Sequence, residues 1–316
     1  MKTIKLRLLP LLLALVTLCA CAAPQAKTPF EQAAAYALEK YAQPEACAAD
    51  WSVMALARGG AEVPEGYFDG YYADVEAYVT EKGGVLHERK YTEYSRLVLT
   101  LTAIGKDPRD VAGYDLLRPL GDFDAVNLQG INGTIFALLA LDSGGYDVPQ
   151  NPDAAVQATR GGYLRYILDA QLPDGGWSLA GGSADADLTA MALCALAPYR
   201  DEQADAAAAV ERGLSCLSSL QEADGGFTAY GAENCETVCQ ALLALTSLGI
   251  APDDARFVKN GAALTDVLAR FAQADGSYAH TQDGGTDSMA SEQALCALAA
   301  LRRAENGQSG FYQMTN

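Results

Sequence analysis

Basic residues are scarce in this chain of 316 residues: 22 Lys and Arg stand against 40 Asp and Glu, a formal net charge of −18. No basic stripe is present to displace counterions from phosphates, which excludes nucleic acid as a partner and argues against electrostatic docking on an anionic bilayer. Only two His occur, His87 and His280, so His-based acid–base or triad chemistry has few candidates. Trp is equally rare, at positions 51 and 177. Long alternating runs of β-branched residues are missing, which removes the signature of a sheet protein. What the chain has instead is Ala and Leu, both strong helix formers, within a composition that is 50% hydrophobic and 20% charged. That is globular and helical rather than disordered.

The first residues read as a secretion signal. Lys2, Lys5 and Arg7 form a basic start, and Leu8 to Leu18 an apolar stretch too short to cross a bilayer. It ends in Leu18-Cys19-Ala20-Cys21. This segment resembles the bacterial lipobox, which implies cleavage before Cys21 and a diacylglyceryl thioether on its sulfur. The alternative is ordinary secretion with a cut near Ala22-Ala23. On the lipobox reading, residues 1–20 are the signal, 21–28 the lipidated Cys and tether, and 29–316 one folded domain held on the extracytoplasmic side of the cell membrane. Of the six cysteines left, Cys47, Cys194, Cys216, Cys235, Cys239 and Cys296, most sit in apolar helical stretches and read as small buried hydrophobes rather than disulfide partners.

Self-similarity over several tens of residues is the strongest signal. One unit runs Gln171-Leu-Pro-Asp-Gly-Gly-Trp177, then an apolar run from Asp185 to Leu196. The next runs Gln221-Glu-Ala-Asp-Gly-Gly-Phe227, then Glu236 to Leu245; the third runs Gln273-Ala-Asp-Gly-Ser-Tyr278, then Met289 to Leu298. Each predicts a helix stopped by Asp-Gly, an aromatic, a loop, and a second helix capped by an acid or amide. Weaker second helices are predicted at 50–57, 94–104 and 132–141, with first helices near 30–41, 68–80 and 110–119. The second helix of each pair is apolar almost all round and belongs inside; the first carries more charge and belongs outside. Six such pairs make an all-α (α/α)6 toroid, an inner ring within an outer one, with an open solenoid as the alternative.

Gln171-x-x-x-Gly175-x-Trp177 and Gln221-x-x-x-Gly225-x-Phe227 match the QW motif of squalene and oxidosqualene cyclases, although Gln273 sits one residue too close to Asp275 to match. Thr189-Ala-Met-Ala-Leu-x-Ala-Leu196 also looks like the prenyltransferase and cyclase repeat. Tyr94-x-Arg96 with Thr102-Ala-Ile-Gly-Lys-Asp-Pro108, Gln129-Gly-Ile-Asn-Gly133 and Phe257-Val-Lys-Asn-Gly261 resemble bacterial exported toroids of this type. The resemblance spans about residues 45 to 303 and implies the terpenoid-cyclase superfamily fold. That fold hosts several chemistries.

Each chemistry the resemblance brings meets a departure. Class II cyclases protonate an alkene or epoxide with an Asp-x-Asp-Asp-Thr-Ala motif. Here Asp185-Ala-Asp187-Leu188-Thr189-Ala190 matches the acid at Asp187 but puts Leu188 at the final Asp. Protein prenyltransferases hold zinc with an Asp-x-Cys and a His, whose positions fall on Asn234, Glu236 and Ala290. Cys235, Cys239 and His280 are a weaker regrouping, and no metal or other cofactor is expected. The thioester motif Gly-Cys-Gly-Glu-Gln is absent. Superimposing the inner helices gathers Asp50, Asp187, Glu236 and Glu292 near their starts, with Trp51, Arg96, Asn132, Gln240 and Gln293 within a turn. This acidic ring is a candidate pocket for a ligand with hydroxyls, amides or positive charge, or a set of helix caps. Three functions follow. The favoured one is a non-catalytic lipoprotein binding a small molecule or surface protein at the mouth. The others are a divergent cyclase-like enzyme with Asp187 as acid, and a glycan-active enzyme using Asp187 and Glu236, with Asp185 a further catalytic candidate.

Overall fold

The computed structural model describes residues 26–229 and 231–315. The expected signal at 1–20, the expected lipidation of Cys21 and most of the expected tether lie outside the described residues. Within them the chain forms α1 (Pro29–Lys40), α2 (Asp50–Gly59), α3 (Tyr67–Glu81), α4 (Thr92–Ala103), α5 (Phe123–Val126), α6 (Ile131–Ser143), α7 (Arg160–Asp169), α8 (Ala186–Leu196), α9 (Ala204–Leu220), α10 (Cys235–Ser247), α11 (Leu264–Ala269) and α12 (Ser288–Glu305).

The apolar second helices form the inner ring as their composition requires. Helices α2, α4, α6, α8, α10 and α12 each pack on the next, and α12 packs back on α2, so the ring is closed and the solenoid alternative is set aside. In α10 every residue from Cys235 to Thr246 is buried. The charged first helices lie outside and face the core with one stripe. On α9, Ala206, Ala209, Val210, Gly213, Leu214 and Leu217 point inward. Outer helices α7, α9 and α11 lean mainly on the preceding inner ones, α6, α8 and α10. At the seam α1 takes this place against α12, running antiparallel to it. Arg302 near the end of α12 covers the Phe30 ring at 5.0 Å, while Tyr41 just after α1 hydrogen-bonds Glu292 near the start of α12.

The expected outer helix at 110–119 is absent. Residues 111–114 make a tight turn in which Ala112 and Gly113 take positive φ (52° and 85°), and only a 3₁₀ turn follows at Arg118–Gly121. Pro108, Gly113 and Pro119 leave no uninterrupted stretch long enough to nucleate a helix. Val111, Leu116, Leu117 and Leu120 are buried without helical spacing and fill that side of the wall. Two antiparallel ribbons not predicted from sequence, β1 (Thr228–Ala229) with β2 (Ala232–Glu233) and β3 (Tyr278–Ala279) with β4 (Thr286–Asp287), lead into α10 and α12.

The starts of the inner helices mark the mouth of the ring and their ends the floor. The C-terminal segment closes the floor. Phe311 and Tyr312 are buried, Arg58 donates to the carbonyls of Gly310, Phe311 and Gln313 at 2.7, 2.9 and 2.8 Å, and Met314 N–H donates to Ser143 O at 2.9 Å.

The Asp-Gly turns work as the sequence suggests: Gly175, Gly225 and Gly276 hold φ of 93°, 95° and 90°. The motif glutamines then tie neighbouring units together. Gln171 Nε2 donates to Gly175 O (2.7 Å) and Ala209 O (2.9 Å), and Gln221 Nε2 to Gly225 O (2.8 Å) and Phe257 O (2.9 Å). The displaced Gln273 reaches only Phe271 O, at 3.3 Å. At that third turn a Cβ on Gly276 would lie 2.4 Å from Gln32 O of α1. Gly276→Ala is therefore expected to cost at least about 1–2 kcal/mol, from left-handed strain plus a clash with backbone at the seam. An unchanged thermal midpoint would contradict this packing.

Candidate functional site

Two of the four acidic side chains expected at the mouth are tied into the protein. Asp50, the first residue of α2, is buried, and its carboxylate accepts from the Tyr71 hydroxyl (2.6 Å), Cys47 N–H (2.8 Å) and Arg96 Nε (2.6 Å). Arg96 also pairs with Glu93. Burial alone would lower the Arg96 pKa, but the charges of Asp50 and Glu93 overcome it and hold the guanidinium protonated. Glu292 accepts from the Tyr41 hydroxyl, and burial raises its pKa. The crevice beside it, bordered by Tyr36, Lys40, Tyr41 and Ser52, is too narrow to admit a water molecule.

Asp187 and Glu236 are differently placed. Asp185 caps α8 by accepting from Leu188 N–H at 2.8 Å, which sets Asp187 in the first turn. Asn234 caps α10 by accepting from Thr237 N–H at 2.9 Å, which sets Glu236 in its first turn. Because α8 and α10 pack side by side, these first turns are neighbours. The Asp187 Oδ1 is buried with no hydrogen-bond partner among the described residues. Burial lifts the Asp187 carboxyl to about 6; the nearby Thr237 hydroxyl opposes the rise, and the charges of Asp185 and Glu236 add to it. Glu236, itself buried, meets His280 Nδ1 through both carboxylate oxygens, at 2.9 and 2.8 Å. His280 follows β3, and its carbonyl accepts from Cys235 N–H at 3.0 Å, so one residue both caps α10 and orients its carboxylate.

Deeper in the ring, Gln240 Nε2 donates to Gln293 Oε1 at 2.9 Å. Trp51 is half-buried and packs on Phe136 with ring centroids 5.9 Å apart, and Asn132 is half-buried in the first turn of α6. The structure thus brings together Asp187 with Glu236, Gln240 with Gln293, and Asp50 with Arg96. Sequence reasoning missed Tyr41, Tyr71 and Glu93, and gave His280 no role beside Glu236. Tyr41, Tyr71 and His280 come from loops and an outer helix, where no periodic pattern marks them, and Glu93 from the first turn of α4, one residue before the helix start predicted at 94.

The zinc set of the prenyltransferases does not fit here. Asn234 is engaged as a helix cap, Glu236 pairs with His280, and Ala290 is apolar and buried. Cys235 and Cys239 lie with sulfurs 3.8 Å apart, both fully buried. Among the described residues no group of three or more His, Cys, Asp or Glu is arranged to hold a metal ion. All six cysteines there are unpaired thiols. Surface depressions of about 410 to 490 Å³ lie beside α1 and α3, along the seam and at the floor. Volume alone does not point to the mouth; the unmet carboxyl chemistry does.

Comparison with known proteins places this architecture. The family model of the prenyltransferase alpha-alpha toroid domain matches residues 114–234 and 205–313, which together cover more than half of the chain. No curated protein matches by sequence. Among solved structures, a glycosidase variant in complex with glucose and a second glycosidase variant each superpose with a TM-score of 0.55 at 13% identity, over 87% of this chain and 97% of theirs. A protein from Actinoplanes superposes with a TM-score of 0.51 at 16% identity, over 87% and 99%. At such identities the likeness is one of fold.

Proposed function

We propose, on the premise that the chain belongs to the prenyltransferase alpha-alpha toroid domain family, that the mouth of its toroid binds a small polyhydroxylated ligand between Asp187 and Glu236. The observation that carries this reading is the Asp187 carboxyl, with one oxygen buried and unmet and its pKa lifted to about 6. A buried acceptor without a donor is costly to the protein alone, and a ligand hydroxyl or amine that reaches it as the side chains around it move relieves that cost. The Gln240–Gln293 pair and Asn132 add amide groups able to exchange hydrogen bonds with such a ligand. Sugars are one class that fits, and the glycosidases of similar fold support looking there first. The lipobox adds the rest of the proposal: the toroid is held through Cys21 on the extracytoplasmic face of the membrane.

A second reading, glycan cleavage, is favoured by the two unlike carboxyls. Asp187, with its raised pKa, suits a general acid; Glu236, oriented by His280, suits the partner carboxylate that activates water or attacks the sugar. Alkene protonation fits less well. A carboxyl with a pKa of about 6 is mostly ionised at neutral pH, and Leu188 supplies no hydrogen bond to sharpen its acidity.

Native mass spectrometry of the mature chain with glucose and with oligosaccharide pools tests both readings. A retained sugar, with affinity at least about tenfold weaker in Asp187→Ala and in Glu236→Ala, supports binding at the mouth. Release of reducing ends, lost in both variants, supports cleavage. A clean unliganded mass in every pool, with no product, overturns the proposal.

A further inference from the structure

We infer that the anchored toroid stands with its floor toward the bilayer and its mouth pointing away, so that its ligand is a water-borne or wall-borne solute and not a membrane lipid. This rests on the reading of Cys21 as the lipid anchor. The observations are the direction of α1, the length of the tether and the closed floor.

The described chain enters at the floor. Glu31 in the first turn of α1 lies 3.8 Å from Arg302 in the last turn of α12, and Tyr41, beyond the other end of α1, meets Glu292 at the mouth. Six residues, and so seven Cα–Cα steps, separate Cys21 from Thr28. Fully extended they reach at most about 25 Å. Helix α12, with 18 residues, is about 27 Å long, and the loops and ribbons of the mouth stand beyond its start. A mouth-down pose requires the tether to climb the full height of the barrel from the floor, which exceeds its reach. Nor can a lipid rise through the ring from below. Phe311 and Tyr312 plug that end, and Arg58 and Arg303 pin the segment that carries them. In this pose the helix starts that carry Asp187 and Glu236 face the aqueous side.

The test uses the full chain matured in a bacterial host that lipidates such proteins, then reconstituted in phosphatidylcholine liposomes carrying a headgroup acceptor dye. In a Cys47→Ser background, whose other thiols are buried, a donor dye is placed at Met289→Cys or at Glu305→Cys. Met289, in the first turn of α12, is 62% exposed, and Glu305 is the exposed last residue of the same helix. Transfer from position 305 is expected to exceed transfer from position 289 severalfold. Equal transfer, or more from 289, overturns the orientation while leaving the anchor intact. Chain that fails to float with liposomes, or floats equally well as Cys21→Ser, overturns the anchor reading and the orientation with it.

Discussion

Arg96→Ala should destabilise the toroid by about 3–5 kcal/mol, because it strands a buried carboxylate. The Asp50 side chain has no solvent exposure, whereas Arg96 is 19% exposed, so the charge left behind is the one that water cannot reach. Without the guanidinium, Asp50 keeps the Tyr71 hydroxyl and Cys47 N–H on one oxygen and has nothing on the other. The effect spreads, since Asp50 opens α2 and its own carbonyl accepts from Thr100 on α4 at 3.2 Å. In thermal unfolding the loss amounts to a drop of roughly 10 °C for a domain of this size. The control is Asp50→Asn combined with Arg96→Met. With both charges gone, no fully buried ion is left without a partner, since the other carboxylate released, Glu93, is 22% exposed, and the pair should cost clearly less than Arg96→Ala alone. If the single and double variants cost the same, the loss is one of packing and the account of the ion pair is wrong.

The sequence carried the fold because the fold repeats. Apolar runs of about a dozen residues recur in register, the last three each preceded by a side-chain cap and an Asp-Gly turn, and only a closed double ring of helices buries them all. The exception is instructive. Residues 110–119 contain enough apolar side chains to suggest a helix, yet two prolines and a left-handed Ala112-Gly113 turn force a loop that buries those side chains anyway. Site chemistry was legible only on the inner helices. Asp187 and Glu236 could be aligned from the repeats, but what separates them from Asp50 and Glu292 is the partner each finds. Tyr71 from α3, Tyr41 from the loop after α1 and His280 from a ribbon turn arrive by long-range packing, at sequence separations of 21, 251 and 44 from their partners. No local pattern encodes such meetings.

Asp187→Asn is expected to make the protein more stable at neutral pH while it weakens ligand binding. The Asp187 carboxyl has an ordinary pKa of 3.8 in the unfolded chain and about 6 in the toroid. Between those values the folded chain keeps a proton that the unfolded chain has lost, so this group's contribution to stability falls as pH rises. Below about pH 4 both states are protonated and the cost is absent; above about pH 6 it is fully present. At roughly 1.4 kcal/mol per pH unit of separation it is at most about 3 kcal/mol. Asparagine has the same shape and no charge at any pH, so the gain from Asp187→Asn should be near zero at pH 4 and approach that limit at pH 7.5. Urea titrations of both proteins across this range measure it directly. Parallel stability curves would mean that Asp187 is not held in an unfavourable, ligand-demanding environment, and the proposed site would lose its main support. A gain that grows with pH, together with affinity at least about tenfold lower, would be the signature of a residue kept against stability for function.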